Sequence, residues 1–262
     1  MKHRSLPIAM TIAGSDNSGG AGIEADIKTF TTLGVYGTCA ITCIVAENPG
    51  RVKSIQPVSS STLIDQMDLV FEAFPVRAIK TGMLFSENLI ETTVNGLKRR
   101  KKFQLVVDPV MVATSGAQLL QKKAVQSLKE KLFPLATLLT PNLDEAALLL
   151  GESIPNFSAM SEAARLLQRR FNCAILLKGG HLKGKKAIDI LVTRRETVVM
   201  KSPRVPALHS HGTGCTLSAA ITAYLAKGSS LKEAVHAGKA FITRAIQRRH
   251  RVGKYEVLNQ LP

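Results

Sequence analysis

Leu105-Val106-Val107-Asp108-Pro109 is an apolar run that stops abruptly on a carboxylate and a proline. A strand with one wet face alternates apolar and polar residues. A strand apolar at every position is covered on both faces, as the strands of a parallel sheet are. The same pattern recurs on either side of this run. Residues 8–13 are apolar and end at Gly14-Ser15-Asp16; residues 38–45 are β-branched and apolar and lead to Glu47; Ala78-Ile79 leads into Thr81-Gly82-Met83. Further on, residues 135–139 stop at Thr140-Pro141-Asn142, and residues 174–177 stop at Lys178-Gly179-Gly180.

Helical stripes separate these strands. Ile23, Ile27 and Phe30 share one face before Gly34. Leu63, Met67, Val70, Phe71 and Phe74 follow Ser/Thr capping candidates and end at Pro75. Helices are also predicted over 87–98, 122–132, 145–150, 161–171, 215–225 and 231–248. A hairpin is predicted from 188–192 and 197–200 around Arg194-Arg195-Glu196. Strands alternating with amphipathic helices predict an α/β fold: a mostly parallel central sheet, helices on both faces, and an antiparallel hairpin at one edge. Ligands of such sheets bind beyond the carboxyl ends of the strands, which makes Asp16, Glu47, Met83, Asp108, Asn142 and Lys178 candidate site residues.

The bulk numbers agree with one large domain. The chain has 262 residues, 45% hydrophobic and 21% charged, without a low-complexity tract or repeat. Four cysteines, Cys39, Cys43, Cys173 and Cys215, lack zinc-type pairing and are too few for a disulfide framework, which predicts reduced thiols. Met1-Lys2-His3-Arg4-Ser5-Leu6-Pro7 runs into a short strand and not into a signal-type apolar segment, and no run nears the ~20 apolar residues of a membrane span. A cytoplasmic protein without a membrane partner is expected. The net charge of +16 lies in scattered clusters without interleaved aromatics or any Trp, so a solvated basic surface is favoured over a nucleic-acid site.

The chemistry gathers at His211-Gly212-Thr213-Gly214-Cys215-Thr216, which opens a helix. Glycines admit a ligand close to the backbone, and successive N–H groups at a helix start cradle an anion. On its own this is a helix cap or a phosphate turn. Ala13-Gly14-Ser15-Asp16, Ser18-Gly19-Gly20-Ala21-Gly22, Glu24-Ala25-Asp26, Val45-Ala46-Glu47-Asn48, Lys80-Thr81-Gly82-Met83-Leu84, Val107-Asp108-Pro109-Val110-Met111, Thr140-Pro141-Asn142-Leu143-Asp144-Glu145 and Lys178-Gly179-Gly180-His181 accompany it in order. Together these stretches resemble the ribokinase-like family, and Cys215 at the usual Asp position resembles its hydroxymethylpyrimidine/phosphomethylpyrimidine kinases. The similarity runs from about residue 8 to about residue 247.

The resemblance implies a ribokinase-like fold and an ATP-dependent, Mg²⁺-assisted kinase of thiamine biosynthesis. Such an enzyme phosphorylates 4-amino-5-hydroxymethyl-2-methylpyrimidine to its monophosphate and then its diphosphate. It implies catalytic roles for Cys215, Gly212 and Gly214, with Cys215 as general base on a thiol whose pKa a helix N-terminus would lower. Glu47, Asp26, Met83, Gly14 and Val45 are expected at the pyrimidine. Asp108, Asn142, Lys178 and Thr213 are expected at the nucleotide, and Glu145 and Asp108 at the metal. Relatives commonly form dimers, so a homodimer is expected. Two departures stand out: Glu24 replaces the more usual Gln, and Thr114-Ser115-Gly116 replaces Lys-Ser-Gly. The segment 248–262 does not follow the family pattern. The competing readings are a pyridoxal or pyridoxine kinase and a non-catalytic ligand-binding relative.

Overall fold

In the computed structural model, residues 5–111, 120, 122–180, 182, 184–205 and 211–261 are described. Thr114-Ser115-Gly116, His181 and residues 1–4 lie outside them. Nine strands form one sheet: β1 (Ile8–Asp16), β2 (Tyr36–Asn48), β3 (Arg51–Pro57), β4 (Ala78–Thr81), β5 (Gln104–Val107), β6 (Leu138–Leu139), β7 (Ala174–Gly179), β8 (Lys186–Val192) and β9 (Thr197–Pro203). Their order is β3-β2-β1-β4-β5-β6-β7-β8-β9, parallel from β2 to β7. The expected hairpin, β8 with β9, forms one edge. At the other edge β3 pairs antiparallel with β2, so both margins are antiparallel where the sequence predicted one. β3 escapes a reading by apolar runs because five of its seven residues, Arg51-Val52-Lys53-Ser54-Ile55-Gln56-Pro57, are charged, polar or proline, as suits an exposed edge.

Side-chain alternation along the parallel strands feeds two cores. Met10, Ile12, Ile79, Leu105, Val107, Leu139, Ile175 and Leu177 face one layer, with α2 (Ser60–Ala73), α3 (Glu87–Lys98), α4 (Lys122–Ser127), α5 (Leu143–Leu150) and α6 (Phe157–Phe171). Ala9, Ala78, Val106, Leu138 and Leu176 face the other, with α1 (Gly22–Thr32), α7 (Thr213–Ala226) and α8 (Leu231–Gln247). Both faces are therefore covered, and the continuous apolar strands follow from that. The helix predicted over 122–132 is α-helical only to Ser127. It widens to a π-turn over 128–132 and closes as a 3₁₀ turn at Phe133-Pro134-Leu135, which shortens the next strand to two residues. A further hairpin, β10 (His250–Val252) with β11 (Tyr255–Val257), lies beyond α8. Among the described residues no helix is long and apolar enough to cross a membrane.

Candidate functional site

β1 is flanked by β2 on one side and β4 on the other, while the chain visits β2 and β3 before it crosses to β4. That reversal opens a crevice at the carboxyl ends of the strands, where open α/β sheets bind ligands. A cavity of about 990 Å³ occupies it. Its wall includes Gly14, Val45, Glu47 and Met83 at one end, Asp108, Asn142, Glu145 and Lys178 at the other, and Gly212, Thr213, Gly214 and Cys215 between them.

The central turn is shaped by the absence of side chains. Gly212 caps α7 in the left-handed region with φ +77°, and a Cβ there would lie 1.8 Å from the Gly20 carbonyl oxygen. A Cβ on Gly214 would sit 3.2 Å from Lys178 Nζ and 3.6 Å from Asp108 Oδ2. The glycines thus let the start of a 14-residue helix press against the first loop and against the charges of Lys178 and Asp108. That helix start lines the cavity, a placement suited to an anion.

Among Asp108, Asn142, Glu145 and Lys178, Asp108 is the hub. It is 2% exposed and accepts from Lys178 Nζ at 3.0 Å, Thr140 Oγ1 at 3.2 Å and Ser218 Oγ at 3.1 Å. Burial works to raise this carboxyl, but Lys178 and Lys80 outweigh it and hold the group below the usual carboxylate range. Asn142 and Glu145 form a capping box on α5: Glu145 N–H donates to Asn142 Oδ1 at 2.8 Å, and Asn142 N–H donates to Glu145 Oε2 at 2.8 Å. Burial, with Asp108 adding to it, pushes the Glu145 carboxyl up to about 7. Two carboxylates and an amide are hard oxygen donors, and a carboxyl lifted this far would gain from added positive charge, so the residues present fit Mg²⁺.

At the other end Asp16 organises the first loop. Its carboxylate accepts from Ser18 N at 2.7 Å, Gly20 N at 3.1 Å, Ala21 N at 2.8 Å and His211 Nε2 at 2.8 Å. Burial opposes the charge, yet the His211 bond and then the bonds from Ser18 and Ala21 hold Asp16 well below the usual carboxylate range. Burial likewise opposes charge on His211, and Asp16 overrides it to raise the imidazole. Glu47 lies beside this pair: one ligand-type atom from each of Asp16, Glu47 and His211 falls within 4.8 Å of the others. Burial and then Asp16 push Glu47 up. Glu24, the departure from Gln, fastens the strand end by accepting from Ser15 Oγ at 2.5 Å and Asp16 N at 2.8 Å.

Two expectations need correction. Asp26 does not line the cavity: it is fully buried, and its Oδ2 accepts from Thr11 Oγ1 at 2.6 Å and Lys80 Nζ at 2.8 Å, so Lys80 and not Asp26 is the member of this pair on the wall. The Cys215 thiol is not lowered. Burial pushes it up to about 11, with Lys80 and the Gly22 N–H working the other way and Asp26 and Asp108 adding to the rise. The helix N-terminus acts on this sulfur, but desolvation of a thiolate is the larger effect.

The remaining expected residues are brought together on one cavity. Reading strand ends missed Lys80, whose signal was a lone charge inside the fully buried β4. It also missed Ser218, one turn beyond Gly214, and the segment after α8, from which Arg249, Glu256, Val257 and Leu258 reach the wall. Gln260 Nε2 donates to Thr216 Oγ1 at 2.9 Å, tying that segment to the residue after Cys215.

Residues 16–259 match the family model described as phosphomethylpyrimidine kinase. Over 240 residues the chain is 49% identical to a hydroxymethylpyrimidine/phosphomethylpyrimidine kinase of Rhizobium meliloti (strain 1021), covering 91% of this chain and 90% of that one. Among solved structures, an ADP complex of Bacillus subtilis pyridoxal kinase superposes with a TM-score of 0.90 at 38% identity, covering 98% of each chain. A phosphomethylpyrimidine kinase from Clostridium difficile 630 superposes with a TM-score of 0.82 at 41% identity, covering 92% of this chain and all of that one.

Proposed function

The chain belongs to the phosphomethylpyrimidine kinase family, and from that premise we propose that it transfers the γ-phosphoryl group of ATP to 4-amino-5-hydroxymethyl-2-methylpyrimidine and then to the monophosphate. One observation carries the reading. A glycine turn that can cradle a phosphoryl group lines one cavity together with a carboxylate suited to an aminopyrimidine edge, Glu47, and a carboxylate–lysine cluster suited to a nucleotide. Phosphoryl transfer asks the protein chiefly to position its reactants and neutralise charge.

In this reading Glu47 accepts from the exocyclic amine of the ring, with Gly14, Val45 and Met83 as the apolar and backbone walls. A Cβ on Gly14 would meet Cys43 Sγ at 2.8 Å, so the wall there is already closely packed behind the backbone. Gly212, Thr213 and Gly214 present N–H groups to the transferring phosphoryl group. Lys178, Asn142 and Asp108 hold the nucleotide phosphates. Glu145 and Asp108 would hold Mg²⁺, which would neutralise charge on those phosphates. The Cys215 thiol, raised by burial, must first release its own proton to solvent, so the step runs through its minor thiolate form. The substrate O–H bond then breaks with its proton passing to that sulfur, the oxygen bonds to the γ-phosphorus, and the bond to the bridging oxygen breaks with its electron pair left on ADP. A homodimer in the cytoplasm, acting without nucleic acid or membrane, completes the proposal.

The deciding measurement is ATP turnover with the pyrimidine, its monophosphate and pyridoxal side by side, with products identified by mass spectrometry. The expected result is pyrimidine monophosphate and then diphosphate, with kcat/KM for the pyrimidine above that for pyridoxal. ADP formation indifferent to the pyrimidine would overturn the reading. The close superposition on a pyridoxal kinase favours pyridoxal as the second reading, and the same assay ranks the two. Replacement of Cys215 by Ala is expected to lower kcat by about 100-fold or more, the usual scale of general-base catalysis. An unchanged kcat would remove the base assignment and leave the kinase assignment standing.

A further inference from the structure

The two phosphorylations present the site with different acceptors. The first is a neutral hydroxymethyl oxygen, and the second is an oxygen of the phosphate that now covers it. With the ring still read at Glu47, that phosphate lies between the ring and the glycine turn, where the first transferred group arrived. An anion placed there meets two carboxylates of the cavity wall, Asp16 and Glu47. A partly desolvated phosphate beside like charges is strongly disfavoured unless a cation contacts it.

Among the described residues the cationic side chains of the wall are Lys80, Lys178, Arg204, His211, Lys239 and Arg249. Lys80 is buried against Asp26, Lys239 is paired with Asp189, and Arg249 is paired with Glu256. Arg204 is held by the carbonyl groups of Gly180, Leu182 and Gly184, and Lys178 by Asp108 among the residues assigned to the nucleotide. His211 differs in position and in what it has to spare. It immediately precedes Gly212, and a Cβ on Gly20 would lie 2.6 Å from its Cδ2, so it packs between the two glycine loops. Its Nε2 meets Asp16 Oδ2 at 2.8 Å, and a carboxylate oxygen of Glu47 falls within 4.8 Å of the ligand-type atoms of this pair. Its Nδ1 has no partner among the described residues.

An imidazole that gives Nε2–H to a carboxylate takes up its second proton at Nδ1, and the charged ring then offers a donor there. Burial opposes the charge, and Asp16 overrides it. We propose that His211, oriented by Asp16, binds the phosphate of the monophosphate substrate through Nδ1–H and thereby favours the second phosphorylation. The inference rests on the two-step reading given above. The charged groups facing the imidazole are Asp16 from β1 and Glu47 from β2. The backbone cradle of Gly212, Thr213 and Gly214 serves both steps alike, so loss of His211 must separate them.

The experiment measures the two steps separately, with the pyrimidine and with its monophosphate as acceptors, in wild type and in His211→Gln. Glutamine can still donate to Asp16 but carries no charge. The kcat/KM for the monophosphate is expected to fall about 10- to 100-fold more than that for the pyrimidine, the scale of one hydrogen bond to a charged group. Equal losses in the two steps would mean that His211 only packs against Gly20, and the inference fails. A wild type that stops at the monophosphate sinks it as well. A second measurement needs no turnover: the Nδ1 resonance of His211 is followed by ¹⁵N NMR in the wild-type chain as the monophosphate or the unphosphorylated pyrimidine is added. A shift with the monophosphate alone supports the inference. No shift, or the same shift with both, overturns it, even where His211→Gln fails to fold. A wild type that phosphorylates neither acceptor ends the kinase reading, and the NMR titration then decides the phosphate assignment alone.

Discussion

At the Gly212 turn of the cavity, position is set by backbone against backbone; around Asp16 it is set by hydrogen bonds gathered on one carboxylate. Gly212 meets Gly20 where no Cβ can enter, while Asp16 collects three backbone N–H groups and an imidazole. Steric placement is indifferent to pH and fails all at once. Placement by titratable groups is graded and can be tuned by solution conditions. A kinase needs the first kind where a phosphoryl group must be held to within tenths of an ångström, and can use the second where substrates enter and leave.

The sharpest way to break the comparison is Gly212→Ala. With φ at +77° and 1.8 Å between the new Cβ and the Gly20 oxygen, either the helix start or the first loop must move. A fall in kcat/KM of at least about 100-fold is expected, the scale of losing one oriented donor to a developing charge. A variant with near-normal kinetics would show that the turn is not where the phosphoryl group sits.

A smaller and pH-dependent effect is expected from His211→Gln. Asp16 lies below its unfolded value of about 4, so its share of the stability is present above that pH and is lost as pH falls through the folded value. His211 is raised above about 6.5, so its share is complete below that pH and is lost as pH rises through the raised value. The stability gap between wild type and His211→Gln, read by denaturant unfolding, should be widest from about pH 4 to 6.5 and narrow in alkali, with a maximum of roughly 1–3 kcal/mol. A gap constant from pH 5 to 9 would show that the imidazole packs against Gly20 without serving as a charge.

The mildest perturbation is Gln260→Ala, which removes the bond to Thr216 Oγ1 at the margin of the turn. The loss should be about 0.5–1.5 kcal/mol in stability, with kcat/KM changed by no more than about fivefold. A larger kinetic loss would make the segment beyond α8 a working wall of the cavity and not a support.

Much of this was legible in the sequence, for reasons that differ by residue. The strand ending at Asp108 was readable because burial on both faces removes polar residues from it, and α3 was readable to its ends because Ser86 caps it and its stripe is regular. Edge strand β3 was not, since exposure on an open margin erases the apolar signal. The break after Ser127 was hidden because a π-turn keeps nearly the same apolar spacing as the helix it interrupts. At the site, motif order located the cavity residues but could not separate those that face the cavity from those that hold them. Asp26 and Lys80 belong to separate motifs, and only the fold shows which of the two reaches the wall. The direction of the Cys215 shift was out of reach for the same reason, because desolvation depends on everything packed around the sulfur.

The bond between Asp16 and His211 joins residues 195 positions apart in the chain. Gly20 and Gly212, which meet beside it, are nearly as distant in sequence. Contacts of such span close late in folding, because the intervening chain must be ordered before they form. Most of the sheet and its helices can assemble while the two glycine loops still stand apart. During refolding, circular dichroism should therefore recover ahead of enzymatic competence.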